Sequence, residues 1–131
     1  MKYLLDTGVL IHNLMAQSKL NQEALELLAD YSSELYISAA SSWEISIKAG
    51  TGKLTLPERP SEFVIRAIQV MSLQSLDITN SHVAALENLP NYHRDPFDRM
   101  LIAQARSEEL VLLTTDRNFD KYEVETFWCG A

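Results

Sequence analysis

Short apolar runs alternate along the chain with longer segments that have a different pattern. The runs lie at residues 3–5, 35–37 and 110–113, with weaker candidates at 75–78 and 124–128. Runs of this length are typical of strands that are buried on both faces of a sheet. The pattern therefore predicts four or five short strands, of which 110–113 is the clearest.

Between these runs, apolar residues recur every three or four positions, which is the period of an amphipathic helix. Pro96 follows Asp95 at one helix start, and Gly50 stands where another helix should stop. The predicted helices cover residues 9–14, 20–31, 41–49, 60–71, 80–86 and 96–107. Strands that alternate with helices predict a three-layer α/β/α sandwich with a central parallel sheet of four or five strands.

Composition limits the class of protein further. The 131 residues suit a single domain, 1–131, and the 47% apolar and 22% charged fractions exclude intrinsic disorder. No apolar run approaches the roughly 20 residues of a membrane span, and Asp6 interrupts the first run too early for a signal peptide. A single cysteine, Cys129, excludes a disulfide framework, so we expect a reducing, cytoplasmic location.

Acidic residues outnumber basic ones by eighteen to eleven, which gives a net charge of -7. This balance disfavours tight nonspecific binding to nucleic acid, because such binding depends on phosphate neutralisation by lysine and arginine. It does not exclude an enzyme whose acidic residues hold metal ions that in turn bind a phosphate substrate.

Four carboxylates fall at comparable places in the predicted fold. Asp6 ends the first strand and Asp116 follows the strand 110–113, while Glu44 and Asp98 lie in the first turns of predicted helices. In a parallel α/β sheet the carboxyl ends of strands and the starts of the following helices share one edge, where ligands bind. We therefore expect these four side chains to converge at that edge.

Each carboxylate also has a purely structural interpretation, which the sequence leaves open. Ser41 and Glu44 have the spacing of a capping box, Asp98 at the third helical position would stabilise the helix dipole, and Asp116 suits a turn. Asp6 is harder to explain in this way, because a carboxylate directly after a buried strand is costly without a partner.

The structural interpretations fail for the four residues together. Charges about 4 Å apart repel by roughly 4 kcal/mol per pair at an effective dielectric constant of 20, so such a cluster persists only when protons or cations neutralise it. Mg²⁺ or Mn²⁺ suits a site made of carboxylate oxygens. Such an ion can activate water and neutralise charge on a phosphodiester, which predicts metal-dependent cleavage of such bonds.

Basic residues lie close in sequence to the acidic ones: Lys48, Lys53, Arg94, Arg99 and Arg117. They predict local positive charge at the rim of the site, with Lys48, Arg94, Arg99 and Arg117 as substrate-binding candidates. A solvated face is the alternative for each of them.

Four segments of the chain resemble the PIN-domain ribonucleases, in particular the toxins of bacterial VapBC-type toxin–antitoxin pairs. They are residues 3–7 (YLLDT), 41–45 (SSWEI), 93–105 (HRDPFDRMLIAQA) and 113–116 (LTTD). Their order along nearly the whole chain also matches, and the segment 93–105 is the most specific.

The resemblance implies Mg²⁺- or Mn²⁺-dependent cleavage of RNA by a PIN-like α/β/α domain. It also implies a homodimer, and inhibition by a cognate antitoxin whose C-terminal segment enters the active-site groove. The residues it assigns to the acidic site are Asp6, Glu44, Asp98 and Asp116, with the Thr114 hydroxyl and Asp120 as accessory groups. Many members have histidine where this chain has Gly8, so a substrate contact at that position is in doubt.

Two other functions remain open. Asp6-Thr7-Gly8 matches the signature of aspartic proteases, in which a homodimer brings two aspartates together, but that fold is almost wholly β and this chain has helical periods. A binding module is the second, with an acidic edge that holds a structural cation or a basic peptide without catalysis.

Residues next to the carboxylates are expected to have structural roles. Asp95 is expected to cap the helix that starts at Pro96, and Trp43 and Phe97 to pack around the carboxylate-bearing helices. His93, in the loop before that helix, is expected to be exposed.

Overall fold

Five parallel strands form one sheet in the computed structural model, which describes residues 1–131. The strands run in the spatial order β3-β2-β1-β4-β5, with β1 at the centre. Their bounds are β1 Lys2–Leu5, β2 Glu34–Ser38, β3 Gln74–Leu76, β4 Val111–Thr114 and β5 Thr126–Trp128. The predicted parallel sheet is confirmed. An aspartic protease has an almost wholly β fold, so the alternation of helices with parallel strands excludes that alternative.

Six α-helices alternate with the strands. They are α1 Thr7–Met15, α2 Gln22–Ala29, α3 Ala39–Gly50, α4 Pro60–Met71, α5 Asn80–Ala85 and α6 Pro96–Ser107. Short 3₁₀ turns occupy Gln17–Lys19, Leu86–Asn88 and Arg117–Lys121. None of these helices combines the length and apolar character that crossing a membrane would require.

Two hydrophobic cores lie on opposite faces of the sheet. Leu5 of β1 and Leu113 of β4 face a core that includes buried residues of α1, α2 and α4. Their neighbours Leu4 and Leu112 face a second core built largely on α6. Because successive residues of a strand point to opposite faces, both of these short strands contribute a residue to each core. This arrangement confirms the three-layer α/β/α sandwich.

The carboxyl end of β1 lies at the point where the strand order reverses. From β1 the chain continues to β2 and β3 on one side, and β4 and β5 are added on the other. The Asp6 amide donates to the Leu113 carbonyl at 2.9 Å, which holds the ends of β1 and β4 together. Open α/β sheets bind ligands in the crevice at such a switch point.

Helix α3 begins earlier than the sequence pattern predicts. β2 runs directly into the helix, and the Ser38 side chain caps it by accepting a hydrogen bond from the Ala40 amide at 3.0 Å. The predicted capping box of Ser41 and Glu44 is therefore wrong, and Glu44 lies in the second turn of α3 rather than in its first turn. Its carboxylate is free of any capping role.

Helix α2 is shorter than predicted. Asp30 accepts hydrogen bonds from both the amide and the hydroxyl of Ser32, each at 2.9 Å, and this turn ends the helix. Leu20, Ala24 and Leu28 are buried, but Tyr31 lies beyond the helix and is fully exposed.

Candidate metal centre

Asp6 is buried at the end of β1, with 4% of its surface exposed. One carboxylate oxygen, Oδ1, accepts from the Val9 amide at 2.7 Å and so caps α1. The other, Oδ2, accepts from the Thr114 hydroxyl at 2.5 Å and from the Thr115 amide at 3.3 Å. Burial raises the pKa of Asp6 to about 6, although these hydrogen bonds favour the charged form.

The Thr114 hydroxyl connects the two central strands at the site. It donates to Asp6 and accepts from the Asp116 amide at 2.9 Å. Thr114 is itself buried, so its hydroxyl orients Asp6 relative to the turn that carries Asp116. A β-carbon at Gly8 would lie 3.3 Å from Thr115 Oγ1 and 3.4 Å from Asp6 Oδ1, so this position directly adjoins Asp6.

Glu44 comes from α3 and is as buried as Asp6, at 4% exposed. Its Oε2 atom accepts from the Lys48 ammonium one helical turn later, in a partly exposed ion pair. Its Oε1 atom is buried without any hydrogen-bond partner. A buried carboxylate oxygen without a partner is costly, so this atom is available to a cation.

Asp98, the third residue of α6, interacts electrostatically with all of the other predicted carboxylates. Its pKa is raised to about 8, first by burial and then by the negative charges of Asp95, Glu44, Asp6 and Asp116. Residues that are far apart in sequence thus lie close enough to repel one another. Asp95 itself caps α6, as predicted, by accepting from the Phe97 and Asp98 amides.

His93 lies between two of the carboxylates, a position that the sequence pattern does not predict. Its Nε2 atom is 3.0 Å from Asp98 Oδ2 and 3.4 Å from Asp116 Oδ2. Only 16% of its side chain is exposed, so the expectation of an exposed loop histidine is wrong. One potential ligand atom from each of His93, Asp98 and Asp116 lies within 4.8 Å of the others. Asp116 also accepts a hydrogen bond from the Asn118 amide, so it has the turn role that the sequence indicates in addition to its place in the cluster.

Three of the five predicted basic residues lie beside the carboxylates. Lys48 and Arg94 line a groove of about 360 Å³ together with Lys53 and Phe97. The hydrogen bond to Glu44 raises the pKa of Lys48, with further contributions from nearby aspartates. Arg94 and Lys53 are exposed and form no ion pair.

The remaining candidates make their contacts elsewhere. The Arg99 guanidinium donates to the carbonyls of Leu89 and Pro90, and so it anchors the chain that precedes the 93–95 loop. Arg117 stacks on the Trp128 ring at 3.6 Å and lies 3.7 Å from Asp120, which also accepts from the Thr126 hydroxyl. No hydrogen bond or ion pair joins the side chains of Arg99, Arg117 or Asp120 to the four carboxylates.

Trp43 and Phe97 form an edge-to-face pair whose ring centroids are 5.1 Å apart. They directly precede Glu44 and Asp98, so the pair holds α3 against α6 next to the two carboxylates. Trp43 remains 60% exposed, and its packing is therefore one-sided.

The residues present fit a hard divalent cation. The site offers the oxygen of Glu44 that has no partner and two aspartates whose pKa values are raised mainly by burial. Neutralisation by a cation would relieve both features at once. Mg²⁺ and Mn²⁺ bind carboxylate oxygens in this way.

Comparison with known proteins identifies a family and several related folds. The PIN domain model matches residues 3–125. No curated protein matches the sequence. The fold is similar to a chain of VapBC2 from Rickettsia felis bound to a promoter DNA fragment, with a TM-score of 0.75 and 17% identity over 98% of this chain and 99% of that one.

Two further solved structures show the same fold. A chain of DNA-bound VapBC from Salmonella typhimurium has a TM-score of 0.68 and 19% identity, with 97% of each chain covered. A chain of VapBC-5 from Mycobacterium tuberculosis, a member of the VapBC family of toxin-antitoxin systems, has a TM-score of 0.63 and 19% identity, with 97% of this chain and 98% of that one covered.

Proposed function

The chain belongs to the PIN domain family, whose members are generally nucleases, and we propose that it is a Mg²⁺- or Mn²⁺-dependent endoribonuclease. The observation that carries this proposal is the buried Glu44 oxygen without a partner, among carboxylates that repel one another. In a purely structural cluster, a buried oxygen without a partner at a ligand-binding edge would cost stability and serve no function.

Asp6, Glu44, Asp98 and Asp116 would hold the ion. A bound divalent ion supplies charge neutralisation at a phosphodiester and lowers the pKa of bound water. The protein's own side chains do the positioning: Thr114 holds the Asp6 carboxylate in place, and the Lys48 ammonium holds one Glu44 oxygen while leaving the other available.

The groove beside the carboxylates would bind the RNA backbone. Arg94 and Lys53 are its unpaired cations, and phosphate binding by such groups does not require a positive net charge for the whole chain. Arg99 and Arg117 are left out of this proposal, because both guanidinium groups are already engaged.

The biological role that fits these features is that of a toxin in a toxin–antitoxin pair. Structurally similar chains come from VapBC complexes, and this supports a cognate antitoxin as a protein partner. By the same likeness we propose a homodimer that acts on RNA in the cytoplasm.

Cleavage of RNA by the purified protein tests the proposed function. Incubation with a mixture of single-stranded RNAs is expected to give fragments when Mg²⁺ or Mn²⁺ is added, and no fragments when a chelator is in excess. Glu44→Gln is expected to lose this activity, whereas Glu26→Gln, which changes an exposed residue of α2, should keep it. Cleavage that persists in chelator would contradict the mechanism, and Mn²⁺ binding without cleavage would support the binding module instead.

The double variant Arg94→Gln, Lys53→Gln is expected to weaken binding of a single-stranded RNA roughly tenfold at low salt, because two phosphate contacts are lost. The slope of log affinity against log salt should fall by about 1.4. Fluorescence anisotropy in chelator measures both quantities without cleavage. The control variant Lys19→Gln, Arg106→Gln removes the same charge from exposed positions away from the groove. An equal loss of RNA affinity in that variant would contradict the prediction.

A further inference from the structure

The loop before α6 holds His93 in a defined orientation. Its Nδ1 atom accepts a hydrogen bond from the Asp95 amide at 3.2 Å, and its own amide donates to the Tyr122 hydroxyl at 2.7 Å. The imidazole packs against the Phe119 ring, with centroids 6.1 Å apart. Contacts on three sides therefore direct Nε2 toward the carboxylates.

The hydrogen bond to Nδ1 determines where the proton of the ring lies. A backbone amide is always a donor, so Nδ1 must present its lone pair, and the neutral ring must carry its proton on Nε2. That N–H lies between Asp98 and Asp116. Histidine binds a metal through a nitrogen that carries no proton, so Nε2 cannot be a ligand in this arrangement.

We infer that His93 is a positioning residue, which donates its Nε2–H to the metal-binding carboxylates Asp98 and Asp116 and is not itself a metal ligand. The inference rests on the proposed metal site. By spacing alone, His93, Asp98 and Asp116 could form a metal site with one nitrogen and two oxygen ligands, whereas the inference leaves only the two aspartates as ligands.

Two consequences follow from this assignment. The ligand set contains only oxygen, which suits Mg²⁺ and Mn²⁺ better than Zn²⁺ or Ni²⁺. The two carboxylates also need the donor for their orientation, because 38% of the Asp116 side chain is exposed and its other anchor is the Asn118 amide. Groups that orient metal-binding side chains in this way typically change metal affinity by about 10–100-fold.

Two substitutions separate the nitrogen atoms of the ring. His93→Asn retains an acceptor near the Nδ1 position, so the Asp95 amide keeps its partner, but no donor reaches the carboxylates. His93→Gln places its amide N–H near the Nε2 position and so retains the donor. A role in loop structure alone predicts that the asparagine variant resembles the wild type more closely.

Calorimetric titration of the full-length, chelator-stripped protein with Mn²⁺ alone tests the inference. We expect His93→Asn to bind Mn²⁺ about tenfold or more weakly than the wild type, and His93→Gln to bind within about threefold of it. Equal affinities, or the reverse order, would overturn the inference and leave the proposed function intact. A wild type that binds no Mn²⁺ would overturn both.

Pulsed electron paramagnetic resonance of the Mn²⁺-loaded wild type supplies a second measurement, which does not depend on activity. We expect no ¹⁴N coupling of the strength given by a directly bound imidazole. Such a coupling, lost in His93→Gln, would show that His93 is a ligand and would refute the inference.

Discussion

Asp98→Asn is expected to reduce metal-dependent RNA cleavage by at least about a thousandfold and to stabilise the metal-free protein at neutral pH. Asparagine keeps the shape of the side chain but removes one negative charge from the centre of the cluster. The expected loss of activity follows from the proposed role of Asp98 as a metal ligand. The gain in stability follows from the burial, and then the repulsion, that raise the pKa of Asp98 to about 8.

The stabilisation has a defined dependence on pH. Because the pKa of Asp98 is about 8 in the folded state and near 3.8 when unperturbed, the folded protein binds the proton more tightly. Protonation of Asp98 in the folded state therefore contributes fully to the free energy of unfolding below about pH 3.8. This contribution is lost as the pH rises through 8. The difference in thermal midpoint between Asp98→Asn and the wild type should widen from pH 5 to pH 8.

Thermal unfolding in chelator at several pH values measures this difference. Added Mn²⁺ should raise the midpoint of the wild type at pH 8 and leave that of Asp98→Asn unchanged, since the variant lacks the ligand. Asp77→Asn changes an exposed aspartate and should show neither effect. A constant difference across the pH range would contradict the pKa of Asp98, and a Mn²⁺-stabilised variant would contradict its role as a ligand.

Thr114→Val is expected to lower the free energy of unfolding by roughly 2 kcal/mol and RNA cleavage by about a hundredfold. Valine has nearly the same shape, but it cannot donate to Asp6 or accept from the Asp116 amide. Asp6 would then lose a hydrogen bond in a buried environment, and the Asp116 amide would lose one in a partly buried environment. The effect on activity follows because Asp6 and the Asp116 turn lose their common anchor.

Thr114→Ser separates the hydroxyl from the methyl group. The serine variant keeps both hydrogen bonds, so its activity should stay close to that of the wild type, and its stability should fall by only about 1 kcal/mol for the lost methyl group. Urea unfolding and RNA cleavage measure the two properties. Should serine and valine reduce cleavage equally, Thr114 would act by packing rather than through its hydroxyl.

Much of the site could be predicted from local patterns. Asp6 and Asp116 could be placed because each follows a short buried run, and parallel strands bring such positions to one edge of the sheet. Asp98 could be placed because Asp95 and Pro96 give a clear helix start. Glu44 reached the site although its predicted helix position was wrong, since a shift of two residues at the helix start leaves the helix at the same edge.

Other residues could not be placed, because their partners are distant in sequence. His93 depends on Phe119 and Tyr122, which the pairing of β4 with β1 brings alongside the loop. Arg99 and Arg117 lie next to the carboxylates in sequence, yet each guanidinium reaches a partner outside the cluster. Sequence proximity does not determine the direction in which a long, flexible side chain extends.

The sequence by itself determined the alternation of strands and helices and the edge at which the carboxylates meet, because hydrophobic periodicity and helix capping act over a few residues. The tertiary structure alone decided the strand order, the Glu44 oxygen that lacks a partner and the orientation of the His93 ring. These features depend largely on how segments that are distant in sequence pack together, and that packing is established only when the two cores close around the sheet.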